Sequence, residues 1–274
     1  MEFKVVLYEV NDGIATITLH RPHRMNAWTG RMHTEYRWVL DRAEQDPAIR
    51  VIVLTGAGRA FCAGADAKAL EGHVEKGRYD PGTPEELAKP GFNVRPEFDV
   101  DFAYHFGISK PIIAAINGPA AGVGLVLACF ADLRFAAAGA KFTPAHGKLN
   151  LPAEFGLSWL LPRMIGLTRA NELLLSSRVF FAEEALSLGL VNAVLPLKEL
   201  LSHTYQYARD LIATVSPGSL RETKRQIYAD LHRDVRTAVE HSKQLVERMA
   251  TEPDFTEGVA AFTEKRLPRW AGRP

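Results

Sequence analysis

The chain has 274 residues, of which 47% are hydrophobic and 24% are charged, a composition that is ordinary for a globular protein with a sizeable core. Its formal net charge of +1 argues against nucleic acid or an anionic membrane as a partner. Its two cysteines, Cys62 and Cys129, predict neither a disulfide framework nor a zinc site, and we expect no metal. The start "MEFKVVLYEV" lacks the apolar core of a signal peptide, so we expect a cytoplasmic location.

The first third of the chain predicts a hairpin, a helix and a buried strand. "FKVVLYEV" and "GIATITLH" have strand patterns, and Asn11, Asp12 and Gly13 between them are typical of a hairpin turn. Apolar residues then recur at helical spacing over 31–45, and "RVIVLTG" is typical of a buried strand. A glycine-rich loop and a short helix follow in "AGRAFCAGADAKAL". Residues 72–100 are rich in proline and charge, and we interpret them as an irregular surface insertion, with a pocket lid as one role.

A second strand–turn–helix unit follows in residues 111–131. This uncharged stretch is long enough to span a bilayer. However, "NGP" at 117–119 interrupts it and Gly122 and Gly124 follow closely, which favours a buried strand, a turn and a buried helix. The arrangement repeats that of residues 50–70, so the two units are interpreted as successive turns of one winding.

The rest of the chain predicts short strands and then helices. "LRFAAAGAKFT" predicts one or two strands, "FAEEALSLG" a helix that ends at Gly189, and "LVNAVLP" another strand. After Leu197 only helical patterns remain. We therefore divide the chain into a core over 1–197, with the variable insertion near 72–100, and a helical segment over 198–274.

The helical segment has the pattern of a surface that packs against the core or a neighbouring subunit. Residues 234–250 carry an apolar face. Asp254 and Glu257 have the spacing of a capping box before "GVAAFTEKR". The apolar face is formed by Val235, Val239, Leu245, Val246 and Met249.

Two glycine-rich turns have the properties of an anion site. In "FCAGADAK", Gly64 lets the backbone approach a ligand, the next helix offers free N–H groups, and Asp66 could cap that helix or tie the loop. An ordinary strand-to-helix turn is an equally good interpretation of this motif alone, whereas a dinucleotide fingerprint fits poorly because "GAG" at 56–58 lacks its third glycine. "NGPAAGVG" is a second such turn. Two turns that deliver N–H groups to one oxygen would form an oxyanion hole.

Four stretches, "FCAGAD", "KPIIAAINGPAAGVGLVLACFAD", "AEEALSLGLVNAVLP" and "FTEKRLPRW", resemble the crotonase or enoyl-CoA hydratase/isomerase superfamily. The resemblance runs in order through nearly the whole chain. It implies an α/β fold, a spiral of β-β-α repeats followed by a helical segment for oligomerisation. It also implies a homotrimer or a hexamer built as a dimer of trimers, an acyl-CoA thioester substrate, and no cofactor beyond the substrate's own coenzyme A. Some relatives bind RNA, but the near-neutral charge argues against that here.

The resemblance also assigns the two N–H donors of the oxyanion hole. The first would be the N–H of Ala65, after Gly64. The second would be the N–H of Val123, after Gly122, at a position where the family usually has glycine. The Val123 side chain is expected to narrow the pocket or shift the acyl chain. Both donors would hold the enolate-like oxygen of the thioester.

Glu154 is the only acid between Asp132 and Glu172, and its apolar surroundings must pair it or raise its pKa. Hydratases of the family use two glutamates, but the matching positions here hold Val126 and His146. Glu154 occupies a third position, as in some Δ3,Δ2-enoyl-CoA isomerases, and would carry a proton from C2 to C4. The alternatives are a loop acid of no function, a hydratase that uses Glu154 or His146, and a non-catalytic protein that binds CoA thioesters.

Further residues are candidates for the pocket and for the coenzyme A tail. His146 could be a base, although a place in the pocket wall is favoured, and Trp159 is expected to pack in the core. Arg24 and Lys68 are candidates for contact with the coenzyme A moiety. Lys265 and Arg266 are candidates for its phosphates, including those of a substrate bound to a neighbouring subunit. Lone surface cations often have no specific role, which is the alternative for all four.

Overall fold

The computed structural model describes residues 3–77 and 96–271. Residues 78–95, the middle of the predicted insertion, lie outside the described part. The described strands are β1 Val6–Asn11, β2 Ile14–Leu19, β3 Val51–Gly56, β4 Ile112–Ile116, β5 Ala120–Ala121, β6 Leu133–Ala137, β7 Lys141–Thr143, β8 Phe180–Phe181 and β9 Ala193–Leu195. The described α-helices are α1 Gly30–Gln45, α2 Ala67–Lys76, α3 Tyr104–Gly107, α4 Val123–Phe130, α5 Leu157–Ile165, α6 Leu167–Ser176, α7 Ala182–Ser187, α8 Leu197–Thr214, α9 Pro217–Asp230, α10 Val235–Met249 and α11 Pro253–Glu264.

The main sheet has the strand order β1-β2-β3-β4-β6-β9. The predicted hairpin is confirmed: β1 and β2 are antiparallel, Asn11 pairs with Ile14, and the two turn residues Asp12 and Gly13 have φ of 50° and 75°. Positive φ at both turn positions is typical of a two-residue hairpin with Asp-Gly. The strands from β2 onward are parallel to their neighbours, so their carboxyl ends lie along one edge.

The central strands β3 and β4 are buried on both faces, which explains their continuous apolar sequences. One face belongs to the larger core with residues such as Leu54 and Ala114. The opposite face, with Val53 and Ile113, packs against α8 through residues such as Leu200.

A smaller sheet has the strand order β5-β7-β8. Its strands β5 and β7 follow the main-sheet strands β4 and β6 along the chain. β5 pairs with β7 in parallel, and Cys62 forms a parallel bridge with Ala120. The segments after β3 and after β4 therefore lie side by side, as expected for successive turns of one winding. Cys62 and Cys129 are buried free thiols.

Three predictions about the variable and C-terminal parts need correction. Helix α2 continues to Lys76, so the first residues of the predicted irregular insertion are helical. Its last residues are not all at the surface, because Phe98 is buried in a 3-10 turn. The capping box is wrong, since α11 begins at Pro253 without a side-chain cap. Asp254 instead accepts a hydrogen bond from Ala271 N at 2.9 Å, and Glu257 binds Arg266, so both acids fasten the C-terminal tail.

Candidate active site

The first glycine turn is held against the segment that precedes α1. Trp28 and Ala65 form a parallel bridge in which Trp28 N donates to Gly64 O at 2.7 Å and Asp66 N donates to Trp28 O at 2.9 Å. Gly64 has φ +99°, and a Cβ there would lie 3.2 Å from Ala121 O. The turn therefore requires glycine at position 64 for its backbone conformation and for its close approach to the second turn.

The second glycine turn starts α4. Gly122 N donates to Thr143 O at 3.0 Å, and Gly122 has φ 49° and ψ −120°, a conformation that is open only to glycine. Val123 is the first residue of the helix. Its N–H belongs to the first helical turn, where the chain itself provides no acceptor.

The two turns are adjacent, and each offers a backbone N–H donor that has no acceptor among the described residues. A Cβ on Gly122 would lie 3.9 Å from Gly64 Cα, and Ala121 N donates to Cys62 O at 3.0 Å. Within 3–77 and 96–271, neither Ala65 N–H nor Val123 N–H has a hydrogen-bond acceptor. Ala65 is exposed, so its N–H is open to a ligand. The pair has the chemistry of an oxyanion hole.

Glu154 also approaches the second turn. It begins a 3-10 turn, Glu154–Gly156, directly before α5, and a Cβ on Gly122 would lie 3.3 Å from Glu154 Oε2. Its half-buried carboxylate has no hydrogen bond or ion pair with any residue in the described part of the chain. Burial raises the pKa of Glu154. An unpaired carboxylate with a raised pKa is typical of a general base.

The chain enters α5 through strained backbone next to the candidate base. Phe155 has φ 45° and ψ 43°, the left-handed region that costs about 1–2 kcal/mol for a residue with a Cβ. The Phe155 ring packs edge-on against Phe102 at 5.1 Å between centroids, and Phe102 packs against Trp28 at 5.6 Å. Rings thus connect the element that carries Glu154 to the segment that holds Ala65. Sequence patterns do not show this cluster, because Phe102 is distant in sequence from both partners.

A family model described as enoyl-CoA hydratase/isomerase matches residues 9–273. The chain belongs to the enoyl-CoA hydratase/isomerase family. This membership, together with the mixed α/β fold and the helical C-terminal part, confirms the fold that the sequence predicted.

Individual relatives agree with the family assignment but differ in their named activities. A 1,2-epoxyphenylacetyl-CoA isomerase from Escherichia coli (strain K12) is 35% identical over 273 residues, which cover 100% of both chains. A probable enoyl-CoA hydratase from Mycobacterium bovis is 38% identical and covers 93% of this chain and 88% of its own. A crystal structure of a probable enoyl-CoA hydratase/isomerase from Mycobacterium abscessus superposes with a TM-score of 0.85 at 32% identity, covering 98% and 99% of the two chains. The family is enzymatic and acts on CoA thioesters.

Val126 and His146 occupy the two positions at which the resemblance predicts the glutamates of a hydratase, and neither residue has a carboxylate. Val126 is fully buried in α4 and part of the main core. His146 is 7% exposed, and its Nδ1 is buried without a hydrogen-bond partner in the described residues. It lies two residues after Pro144, whose carbonyl oxygen lies 3.9 Å from a Cβ placed on Gly122. His146 begins the 3-10 turn His146–Leu149 near the second glycine turn, and its place in the pocket wall stays a prediction.

The candidates for coenzyme A contact lie on separate elements. Arg24 and Lys68 are exposed, in the 3-10 turn before α1 and in α2 respectively. Lys265 is exposed at the end of α11. The Arg266 guanidinium is engaged in ion pairs of 2.6 Å with Glu257 and with Glu264. A role of Arg266 in phosphate binding would thus compete with two carboxylates.

Neither a metal site nor a membrane-spanning helix is found among the described residues. They contain no cluster of three or more His, Cys, Asp or Glu residues with the geometry of a metal site. Among the described helices, none combines the length and the apolar character needed to cross a bilayer.

Trp159 is half-buried against the core, between the ring of His232 at 5.5 Å and the guanidinium of Arg163 at 4.1 Å.

Proposed function

We propose that the enzyme moves the double bond of a 3-enoyl-CoA to the 2-position, with Glu154 as the proton carrier. The observation that carries the proposal is the unpaired, half-buried carboxylate of Glu154, beside a turn whose Val123 N–H has no acceptor in the described structure. A base and an oxyanion donor beside one turn are the two groups that this reaction needs.

The reaction follows from these groups. The thioester oxygen accepts hydrogen bonds from Ala65 N–H and Val123 N–H, which stabilise the negative charge that develops when C2 loses a proton. Glu154 takes that proton and leaves a dienolate. The protonated Glu154 then gives the proton to C4, the double bond forms between C2 and C3, and the carboxylate is regenerated. Each oxyanion donor typically contributes about 2.7–4 kcal/mol to lowering such a barrier. The step consumes no water and needs no cofactor.

Two observations favour isomerisation over hydration. The side chain of Val126 is apolar and fully buried, so it provides no second carboxylate to activate water with Glu154. The Escherichia coli relative at 35% identity is named an isomerase. By analogy with that relative, we place this enzyme among those that rearrange an acyl-CoA without adding water.

Hydration of a 2-enoyl-CoA is the second candidate function, and His146 favours it. Its buried Nδ1 lacks a partner among the described residues, and a buried polar atom without a partner costs about 1–3 kcal/mol. A bound water would satisfy it, and Glu154 could activate that water. The mycobacterial relatives named probable enoyl-CoA hydratases agree with this candidate.

The deciding experiment measures conversion of 3-enoyl-CoA to 2-enoyl-CoA beside hydration of 2-enoyl-CoA. Glu154→Gln keeps the size of the side chain but removes the base, and we expect isomerisation to fall about 10²–10⁴-fold, the usual contribution of one acid–base group. Glu199→Gln, an exposed residue in the first turn of α8, is the matched control and should keep the wild-type rate. With substrate deuterated at C2, a single proton carrier should deliver part of the label to C4.

Other results would redirect the assignment. Brisk hydration without isomerisation would favour the second candidate, and His146→Ala should then abolish the activity. Equal isomerisation by the wild type and Glu154→Gln would show that Glu154 is a loop acid.

A further inference from the structure

We infer that Arg21, held in place by Asp66, is a positioning residue that orients and strengthens the Ala65 N–H as an oxyanion donor through a relay of two peptide groups. This inference rests on the oxyanion hole of the proposed function, but it does not depend on which reaction the enzyme catalyses.

The relay begins at an ion pair that is largely shielded from solvent. Arg21 Nη1 lies 2.8 Å from Asp66 Oδ2, and the two side chains are 16% and 10% exposed. The same Arg21 nitrogen donates to Ala27 O at 2.6 Å. Asp66 is fixed a second time, because its Oδ1 accepts from Lys68 N at 3.0 Å. Burial raises the pKa of Asp66, but the hydrogen bonds from Arg21 and Lys68 N and the charge of Arg21 together outweigh that effect and lower it, so the carboxylate stays charged.

Two rigid peptide planes then connect Arg21 to the donor. A peptide group is planar, with its C=O and N–H pointing in opposite directions. Ala27 O, which accepts from Arg21, shares a plane with Trp28 N–H. That N–H donates to Gly64 O at 2.7 Å, and Gly64 O shares a plane with Ala65 N–H. The relay therefore runs from the Asp66 carboxylate through the Arg21 guanidinium and the two peptide groups to the Ala65 N–H. That N–H has no acceptor in the described structure.

This order has both a geometric and an electrostatic consequence. Anchoring Gly64 O fixes the plane of the next peptide, so the Ala65 N–H is held in one direction before substrate binds. Hydrogen bonds in a chain polarise one another. Here the positively charged Arg21 guanidinium donates to Ala27 O, the carbonyl oxygen of the first peptide group. It makes Trp28 N–H, and through it Ala65 N–H, a better donor to an anionic oxygen than to a neutral carbonyl. Such a difference between the two states accelerates the reaction without tightening substrate binding.

The backbone of Arg21 is itself fixed. Arg21 N donates to Asn26 Oδ1 at 2.9 Å, and Asn26 Nδ2 donates to Ala57 O and Ala60 O at 2.9 and 2.7 Å. Asn26 is fully buried. Since the start of the relay is tied to the loop after β3, a substituted Arg21 side chain should perturb the relay while the surrounding backbone keeps its place.

The test uses acetoacetyl-CoA, whose bound enolate absorbs in the near ultraviolet and reports on the oxyanion hole without turnover. We expect Arg21→Gln to shift enolate formation to higher pH and to lower kcat about tenfold, less than the loss of a whole donor. KM and the affinity for saturated acyl-CoA should change little. Arg21→Lys keeps the charge and should recover part of both effects. Asp66→Asn, which can still accept from Lys68 N, leaves Arg21 charged but without its anchor and should show part of both losses. Glu172→Gln breaks an ion pair on α6, 2.7 Å from Arg178, and should behave as wild type.

Each outcome decides the inference. Circular dichroism and thermal melting identify folded variants, and if Arg21→Gln fails to fold, Asp66→Asn carries the test. A folded variant with the wild-type enolate signal and kcat would overturn the relay. A loss confined to KM would also overturn it, because it would show a role in binding alone. If the wild type forms no enolate, the oxyanion hole and the relay fall together. If it forms the enolate, Arg21→Gln weakens it, and 3-enoyl-CoA is not isomerised, the relay holds and the isomerase proposal fails.

Discussion

At the scale of single residues, the ionised carboxylate of Glu154 lowers the stability of the folded state but suits a catalytic base. Its carboxylate is half-buried and unpaired in the described structure, and burial raises its pKa. A carboxylate of this kind is a stronger base than an exposed one, but the folded state is less stable when the group is charged. Asp66, in the first glycine turn of the same site, shows the opposite behaviour because Arg21 and the N–H of Lys68 keep it ionised.

The pH dependence of the reaction should follow from the raised pKa of Glu154. The base must be ionised, so kcat/KM for isomerisation should fall as pH decreases through a pKa above the ordinary carboxyl value of 4.5. Asp66 remains charged in that range, because its pKa is shifted below 3.8, so the fold should not be lost together with activity. A pH profile of kcat/KM, with circular dichroism at each pH, checks this. The residual rate of Glu154→Gln should lack the acidic limb, and a limb that persists in this variant would assign it to another group.

The folding stability contributed by Glu154 changes with pH in the opposite direction to its activity. A raised carboxyl pKa means that the folded state gains stability as pH falls through it, so ionised Glu154 weakens the fold at neutral pH. Glu154→Gln is therefore expected to melt at the same temperature as the wild type or higher at pH 7.

The sequence identified the residues whose chemistry is local and missed those whose role depends on distant partners. Gly64 and Glu154 were identified because a glycine turn and a lone acid are visible within a few positions, and the structure brings both turns and the acid together. Arg21 was missed because its partner Asp66 is 45 positions away (66 − 21). No local pattern connects two such residues, and the strand pairing that brings them together is set by the whole sheet.

At the scale of elements, the short turn Glu154–Gly156 determines where the candidate base points. The helices were predicted from the 3.6-residue period of their apolar residues, and the strands from alternating or continuous apolar runs. This turn has no period, and the left-handed backbone of Phe155 contradicts the preference of a bulky residue. The conformation is held by packing against Phe102, which is a tertiary contact. Sequence patterns alone therefore could not predict it.

Substitutions of Phe155 should show this strain directly. Phe155→Ala and Phe155→Gly both remove the ring, but only alanine keeps a Cβ in the left-handed region, where it costs about 1–2 kcal/mol. The glycine variant should thus be the more stable of the two. At Leu201, on the ordinary helix α8, the order should reverse, with Leu201→Gly about 1 kcal/mol less stable than Leu201→Ala. Denaturant unfolding of the four variants at one protein concentration provides the measurement. The same order at both positions would contradict the left-handed turn.

At the scale of the whole molecule, the winding places the turns after β3 and β4 side by side, because parallel neighbours have their carboxyl ends at one edge. This arrangement was predictable from two similar strand–turn–helix units. The division into 1–197 and 198–274 remains a proposal about assembly, supported by the apolar surface of the last helices. The exposed apolar residues of α10 and α11 include Val235 at 80%, Val239 at 48%, Val246 at 65%, Phe255 at 53%, Val259 at 51% and Phe262 at 85% exposure.

So much exposed apolar side chain on two consecutive helices is unusual for a monomer and typical of an interface. We therefore expect the wild type to be a trimer or a hexamer by size-exclusion chromatography with light scattering. Val239→Asp and Phe262→Asp would bury a charge in that interface and should shift the mass toward the monomer. Val10→Asp is the matched control, since Val10 is 41% exposed on the edge strand β1, and its mass should stay that of the wild type. A wild type that remains monomeric at micromolar concentration would refute this role for residues 198–274. Dissociation by Val10→Asp alone would place the interface at β1 instead.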